Sequence, residues 1–381
     1  MSSTNPTPEA ERKTLRVGVL GAGQLGRMLG LAGRALGLDF LFVDPVTETP
    51  PAACVGEHLA LDYGSPAALD RLAACDVVTY EFENVPVAAA QALAGRTRVF
   101  PPVGALAVAQ DRLHEKQCFS ELGIPTPAFR DIASEDDLVR ALAELGYPAV
   151  LKTRRFGYDG RGQAVLQTDA DAKRAFAELG NVPLLLEGFV AFERELSLIG
   201  ARSASGEVRF YPLVENHHRA GILRLTLAPA PNVAPERQAL AEGYMRALFE
   251  RLNYVGVLAL ELFQTGGRLV ANEMAPRVHN SGHYSIEGAR TSQFEQHLRA
   301  VLGLPLGSTE LAEPSAMLNC VGALPDPSAV LAVPDAHLHD YGKAPRERRK
   351  VGHVTVRAPD VGTLADRLAT LKAVVERSEF G

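Results

Sequence analysis

The sequence predicts an α/β protein with several domains in series, combining a parallel sheet near its start with antiparallel sheets further on. Three stretches predict it. Residues 15–44 read as strand, glycine turn, helix and strand; residues 149–166 read as two strands around a glycine-rich loop; residues 256–275 read as two apolar strands flanking Gly266-Gly267. At 381 residues the chain is too long for one compact core, so two or three domains are expected. Hydrophobic residues at 46% and charged residues at 22% are ordinary for a soluble globular protein. The formal charge of −6 argues against a general nucleic-acid binder. Cys54, Cys75, Cys118 and Cys320 form no CxxC pair and no metal spacing, which fits free thiols in a reducing cytosol. Residues 1–13 are polar and lack a signal-peptide core, so a disordered tail is expected. No stretch reaches the apolar length of a bilayer span, and the expected location is cytoplasmic.

In the first unit, Gly21-x-Gly23-x-x-Gly26 lies between strand and helix, and Asp44 ends the next strand 18 residues after Gly26. In outline this is the dinucleotide-binding fingerprint, in which glycines free helix N–H groups for an anion. It supports either an NAD-dependent oxidoreductase or a tight α/β turn that binds no nucleotide. Further on, CDVVTYEFENVP is a strand ending in Glu81, Glu83 and Asn84, which alone is only an acidic loop.

Gln110-Asp111-Arg112 opens a helix that stops at Gly123-Ile124-Pro125, and a helix over 134–146 has Ser134 as N-cap and Gly146 as its end. The strand YPAVLKTR then delivers Lys152. Gly157-Tyr158-Asp159-Gly160-Arg161-Gly162-Gln163 follows, a loop with three glycines in six residues. Its backbone amides can wrap phosphates and close over them, although a solvated hairpin loop would carry the same glycines. No GK[ST] follows, which excludes a Walker loop, and no protein-kinase pattern lies downstream. The apolar strand VPLLLEGFV ends at Glu187, Gly188, Phe189 and Val190, and leads to an accessible carboxylate at Glu195.

Residues 196–222 alternate as antiparallel strands and carry His217-His218-Arg219. A metal site there is poor, because adjacent strand residues point to opposite faces. Helices are expected over 234–252 and 291–301, on either side of the hairpin. A three-residue loop, Gly266-Gly267-Arg268, sets Glu261 opposite Glu273 on one face, whereas a strict two-residue turn sets them on opposite faces. Paired carboxylates repel unless a cation or a proton sits between them, and few oxygen ligands suit Mg²⁺ that keeps water and phosphate on its other positions. Asn272 sits beside the pair. Arg277, His279, Asn280, Ser281 and His283 then crowd into seven residues, more donors than solvation of a loop requires. After Pro314, apolar runs at 316–324, 336–343 and 350–359 predict a small β-rich C-terminal lobe with a helix over 362–376. Lys343, Arg346, Arg348, Arg349 and Lys350 are the most basic cluster of an acidic chain, which by itself is most simply a solvated turn.

NEMAPRVHNSGHY, GYDGRGQ and the YGK…RK-x-GH segment together resemble the 5-(carboxyamino)imidazole ribonucleotide synthetase family of ATP-grasp enzymes, over residues 15–381. The resemblance implies an α/β (α+β ATP-grasp) fold: a Rossmann-like domain at 14–112, a lid subdomain at 113–190, a large subdomain at 191–310 and the C-terminal lobe at 311–381. It implies ATP and Mg²⁺ as cofactors, aminoimidazole ribonucleotide and bicarbonate as substrates, a homodimer, and no nucleic-acid or membrane partner. Arg112 and Lys152 would hold the phosphates under the lid loop Gly157–Gln163. The backbone at Glu187, Gly188, Phe189 and Val190 would recognise adenine, Glu195 the ribose, and His218 and Asn272 would touch the nucleotide. Glu261 and Glu273 would hold Mg²⁺, and Arg277, His279 and Asn280 the carboxyphosphate. Gln24, Leu25 and Glu81 would border the acceptor, with Tyr158, Asp159 and Arg161 closing over it and Lys343, Arg349 and Lys350 on its phosphate. The chain departs from the family at Glu347-Arg348, where Pro-Gly is usual. Rival readings are another carboxylate–amine ligase (a formate-using purine enzyme or a biotin carboxylase), an NAD-dependent oxidoreductase, and a non-catalytic nucleotide-binding module.

Overall fold

Four strands begin the chain, three of them mostly apolar and buried, with the part-exposed Glu57–Leu59 at the edge. They pair in parallel in the order Glu57–Leu59, Asp39–Val43, Arg16–Leu20, Val77–Tyr80, as expected of strands buried on both faces. These coordinates are a computed structural model that describes residues 14–157, 160–180 and 182–379; the tail at 1–13 and the lid-loop residues Tyr158 and Asp159 lie outside the described residues. Helix Gln24–Ala35 buries Leu25, Met28 and Leu29 on the sheet, and its Gly33 lies close to both Phe40 and Leu298 of a later helix. One buried polar link pins this unit to the rest. His297 Nδ1 accepts from the Val257 amide at 3.2 Å, which leaves the proton on Nε2 to be donated to Thr79 Oγ1 at 2.8 Å. Burial pushes His297 down to about 4, which keeps the ring neutral in that role.

The expected lid segment holds an antiparallel sheet in the order Phe129–Ile132, Leu184–Gly188, Ala149–Thr153, Gln163–Leu166. Helices Glu135–Leu145 and Asp169–Leu179 pack on it. Ser134 and Thr168 cap them by accepting from the amides of Asp137 at 3.1 Å and Asp171 at 3.2 Å, each cap contributing about 1 kcal/mol. The Ser134 start and Gly146 stop stand as read.

The third layer is one nine-stranded sheet. Arg268–Ala275 and Gly256–Thr265 form one end, followed by Arg194–Arg202, Val214–Arg219 and Ile222–Ala228, with the short strand Val208–Phe210 paired to Arg194–Arg202 off this path. Ser315–Val321, Lys350–Arg357 and Ala336–Asp340 continue it, Thr226 pairing with Met317. The three C-terminal strands therefore extend the large sheet. Without them Ile222–Ala228 would be an edge with unpaired backbone groups. Helix Val361–Glu379 covers this extension, burying Leu364, Leu368 and Leu371 in one cluster with Val354 and Val356.

Candidate active site

The hairpin brings its two carboxylates together by a route different from the one expected. The turn has two residues, Gly266-Gly267, since Thr265 pairs with Arg268. The register then slips between Glu261 and Leu262: Leu262 faces Ala271 but Glu261 faces Glu273. Asn272 is the extra residue of a β-bulge, and the bulge sets both glutamates on one face.

A bulge frees backbone groups, and two consecutive residues of helix Arg112–Glu121 take them up. Glu115 Oε1 accepts from the Met274 amide at 2.6 Å, and Lys116 Nζ donates to the Asn272 carbonyl at 2.6 Å. Both side chains are buried. Lys116 Nζ is also 3.5 Å from Glu187 Oε1, while Lys152 Nζ donates to Glu187 Oε2 at 2.8 Å. Burial alone would raise Glu187, but Lys116 and Lys152 override it and hold its carboxyl at about 2. The Glu187 side chain is thus turned inward onto two lysines, and residues 187–190 form a backbone hinge at the end of its strand. Within that hinge the Gly188 and Phe189 amides are bonded to the carbonyls of Ala128 at 2.8 Å and Pro148 at 3.3 Å. Among 187–190, the Val190 amide is the donor with no partner among the described residues.

Arg112 stands at the first turn of the same helix. Asp111 caps that turn, accepting from Leu113 at 3.1 Å, and takes a two-pronged contact from Arg154 at 2.8 and 2.7 Å. Arg112 in turn donates to the carbonyls of Thr153 at 3.0 Å and Gly157 at 3.4 Å, and lies 3.8 Å from Glu273. Glu195 is paired with His218 Nδ1 at 2.5 Å. Burial works against charge on that ring, but Glu195 and Glu261 outweigh it and raise the His218 pKa. His217 points elsewhere, to Glu215 at 3.1 Å, a bulge separating the two histidines.

Beyond the hairpin, Gln293 braces the polar loop, accepting from the His279 amide at 2.9 Å and donating to its carbonyl at 2.6 Å. His279 Nδ1 accepts from the Ser281 amide at 3.3 Å, so Nε2 carries the proton that it directs at Glu261 Oε1, 3.1 Å away. Burial would raise Glu261, yet His279 and His218 hold it well below the usual carboxylate range. Asn280 forms a reciprocal amide pair with the buried Asn319 at 3.0 and 2.6 Å. Arg277 Nε donates to Glu83 Oε2, and Arg277 Nη1 donates to the Val278 carbonyl at 3.0 Å.

At the far end the glycine fingerprint is already occupied. The amides of Gly23 and Gly26 donate to the two carboxylate oxygens of Glu81, which is 6% exposed. A side chain at Gly23 would start 2.6 Å from Glu81 Oε1. The anion position of a dinucleotide-binding turn is filled by the chain's own carboxylate, and this overturns the oxidoreductase reading. Burial raises Glu81, with the two amides opposing. Asp44, the other acidic element of the fingerprint, is engaged by the Val46 amide at 3.0 Å and the Tyr63 hydroxyl at 3.1 Å. Opposite Glu81, Lys343 Nζ donates to Gln24 Oε1. Burial, with Arg349, Lys350 and Arg346 close by, pushes Lys343 down to about 8.

A single cavity of about 1370 Å³ joins these groups, running from the hinge and lid past the paired glutamates and Arg277 to Glu81 and Lys343. Every site residue expected from the sequence lines it except Gly162 and the two outside the described residues, Tyr158 and Asp159. Gly162 packs beside Thr153, where a side chain would start 2.6 Å from Oγ1. Glu83, Glu115, Lys116, Gln293 and Asn319 are the residues that sequence reasoning missed.

Family models divide the chain in three: a ribonucleotide synthetase preATP-grasp domain at residues 14–110, an ATP-grasp domain at 117–294, and a phosphoribosylaminoimidazole carboxylase C-terminal domain at 315–367. The N5-carboxyaminoimidazole ribonucleotide synthase of Pseudomonas aeruginosa is 54% identical over 95% of this chain and 100% of its own. The chain belongs to the N5-carboxyaminoimidazole ribonucleotide synthase family. Its activity is the ATP-dependent synthesis of that ribonucleotide in purine biosynthesis, with ATP and Mg²⁺. The Bacillus subtilis member is 39% identical over 89% of this chain and 90% of its own. Among solved structures, the synthetase of Thermus thermophilus is 55% identical with a TM-score of 0.90, covering 94% of this chain and 98% of that one. The Aspergillus clavatus enzyme in complex with ADP and 5-aminoimidazole ribonucleotide matches at 34% identity and a TM-score of 0.88, covering 96% and 99%. No described helix is long and apolar enough to cross a membrane.

Proposed function

We propose that the cavity binds ATP at the lid end and aminoimidazole ribonucleotide at the Glu81–Lys343 end, with bicarbonate between them at Arg277. The observation that carries this reading is the continuity of one cavity between two separate cationic sites, Arg112 with Lys152 and Lys343 with Arg349 and Lys350. In this reading a bicarbonate oxygen attacks the γ-phosphorus of ATP and ADP leaves. The exocyclic amine of the ribotide then attacks the carbon of carboxyphosphate, or CO₂ released from it, and loses a proton, while phosphate departs.

The Val190 amide donates to the adenine edge, Glu195 takes the ribose, and His218 orients Glu195. Lys152 and Arg112 offset the charge that builds up on the transferred phosphoryl group. Glu261 and Glu273 fit Mg²⁺: they are hard oxygen donors, set side by side by the bulge residue Asn272. Bound there, Mg²⁺ would neutralise phosphate charge. Arg277, His279 and Asn280 face the reacting carbonate, and Arg161 with the lid loop excludes water. Gln24, Leu25 and Glu81 border the ribotide, and Lys343, Arg349 and Lys350 hold its phosphate. The catalytic work is positioning and charge stabilisation.

The domain limits 14–112, 113–190, 191–310 and 311–381, a homodimer and a cytoplasmic location belong to the same reading; light scattering of the purified chain tests the dimer. ADP release, measured with ATP and Mg²⁺ while bicarbonate and aminoimidazole ribonucleotide are omitted in turn, tests the chemistry. Full turnover is expected only with all components. Stimulation by formate and a different amine in place of bicarbonate and the ribotide would point to another carboxylate–amine ligase.

A further inference from the structure

We infer that Glu83 is a positioning residue for bicarbonate, acting through Arg277 from across the domain boundary; the inference rests on the function proposed above. Glu83 lies in the turn after strand Val77–Tyr80 of the N-terminal domain, whereas Arg277 follows strand Arg268–Ala275 of the large sheet. Their contact spans 194 residues of sequence. It is not an incidental surface pair, since both side chains line the central cavity and are at least partly buried. Burial would raise Glu83, but Arg277 overrides it and holds the carboxyl at about 2, so the pair is ionised at any working pH.

The geometry divides the guanidinium. Nε is held by Glu83 and Nη1 by the Val278 carbonyl, while Nη2 makes no bond to any described residue. A planar fork held at both Nε and Nη1 cannot rotate freely, so the N–H groups of Nη2 keep one direction. Glu83 is itself anchored, because Gln110 Nε2 donates to the Glu83 carbonyl at 2.6 Å and to the Val85 carbonyl at 2.5 Å. The anchored carboxylate therefore sets the orientation of the cation that faces the smallest substrate. It also removes most of that cation's net charge, which suits a monoanion such as bicarbonate better than a second polyphosphate. Glu83 stays two residues from Glu81, whose carboxylate closes the glycine turn, so one short acidic segment serves both the acceptor end and the carbonate position.

The test is the steady-state kinetics of Glu83→Gln, Arg277→Lys and the double variant, with bicarbonate, ATP and aminoimidazole ribonucleotide varied in turn in CO₂-depleted buffer. Glu83→Gln keeps an acceptor for Nε but loses the charge. It is expected to raise the KM for bicarbonate roughly five- to twentyfold, with the KM values for ATP and the ribotide within about twofold, consistent with loss of a charge-assisted contact. In the Arg277→Lys background, Glu83→Gln is expected to add little, since its effect passes through the missing guanidinium. An unchanged bicarbonate KM, a parallel rise in all three constants, or additive effects in the double variant would overturn the inference. A wild type that releases no ADP in response to bicarbonate and the ribotide would overturn the proposed function and this inference together. A responsive wild type with an indifferent Glu83→Gln overturns the inference alone.

Discussion

Lys116→Met is the substitution that best separates the bulge from the rest of the fold. Lys116 is 1% exposed and makes two contacts with its ammonium, one to the bulge carbonyl of Asn272 at 2.6 Å and one to Glu187 at 3.5 Å. Methionine keeps most of the apolar stem, so the change removes the charge with little loss of packing. A charge-assisted hydrogen bond contributes about 1.5–3 kcal/mol. Removing one partner of a buried ion pair costs about 3–5 kcal/mol when the other is left alone. Here it is not alone, because Lys152 still donates to Glu187 at 2.8 Å. Burial also lowers the Lys116 pKa, so part of the lost interaction is offset by relief of desolvation. The expected net destabilisation is about 2–3 kcal/mol, read as a shift of the urea midpoint at constant m-value.

The functional consequence should be more specific than the loss of stability. With the Asn272 carbonyl unpaired, the bulge that aligns Glu261 with Glu273 loses one of its two clamps. If about 1.4 kcal/mol of the loss falls on that alignment, the half-saturating Mg²⁺ concentration rises about tenfold. The assay is ADP release at saturating ATP across a Mg²⁺ titration, at a temperature where the variant is fully folded. Glu115→Gln serves as the control, since an amide oxygen can still accept from Met274. A Lys116→Met protein with the lost stability but an unaltered Mg²⁺ curve would refute the link between clamp and carboxylates. Unaltered stability would refute the network itself.

Val190→Pro removes the one hinge amide without a partner among the described residues and should raise the KM for ATP about tenfold or more, leaving that for the ribotide within about twofold; equal effects on both would refute the hinge assignment. Lys343→Ala should raise the ribotide KM about tenfold to a hundredfold, the cost of one charge-assisted phosphate contact. Because the free enzyme's Lys343 titrates near 8 and a bound phosphate favours its charged form, the wild-type ribotide KM should rise as pH climbs past 8, and Lys343→Ala should flatten that limb. A limb that survives the substitution would exclude Lys343 as its source. Arg348 stands at φ 61°, a left-handed conformation that glycine adopts without strain, so Arg348→Gly should relieve about 1 kcal/mol; it should raise the thermal midpoint without changing the ribotide KM, and a lowered midpoint would mean that the Arg348 contact to the Ala220 carbonyl at 3.1 Å outweighs the strain.

What was legible in the sequence is the chemistry that clusters along the chain, and what was hidden is the support that comes from far along it. The hairpin, the glycine loop, the Ser134 cap and the basic run could be read because their residues are neighbours in sequence. The pairing of Glu261 with Glu273 was anticipated on a three-residue loop, but the extra residue sits at Asn272 instead, because a bulge and a longer turn shift register alike and strand patterns do not say which. The glycine fingerprint misled for a related reason. Its local pattern announces free amides, and the carboxylate that fills them arrives 55 residues later. Glu115 and Lys116 read as ordinary charges on a helix, yet their partners lie 159 and 156 residues away and take both out of solvent. The same holds for Glu83, dismissed as part of an acidic loop until the sheet brings Arg277 to it. The C-terminal strands were recognised singly but not as one sheet with the hairpin, since strand pairing between separate segments is non-local. Residues that face a ligand are recognisable by type, because the ligand demands a particular donor or charge. Residues that aim them are recognisable only by contact, because any helix or loop that reaches the same point can supply the partner.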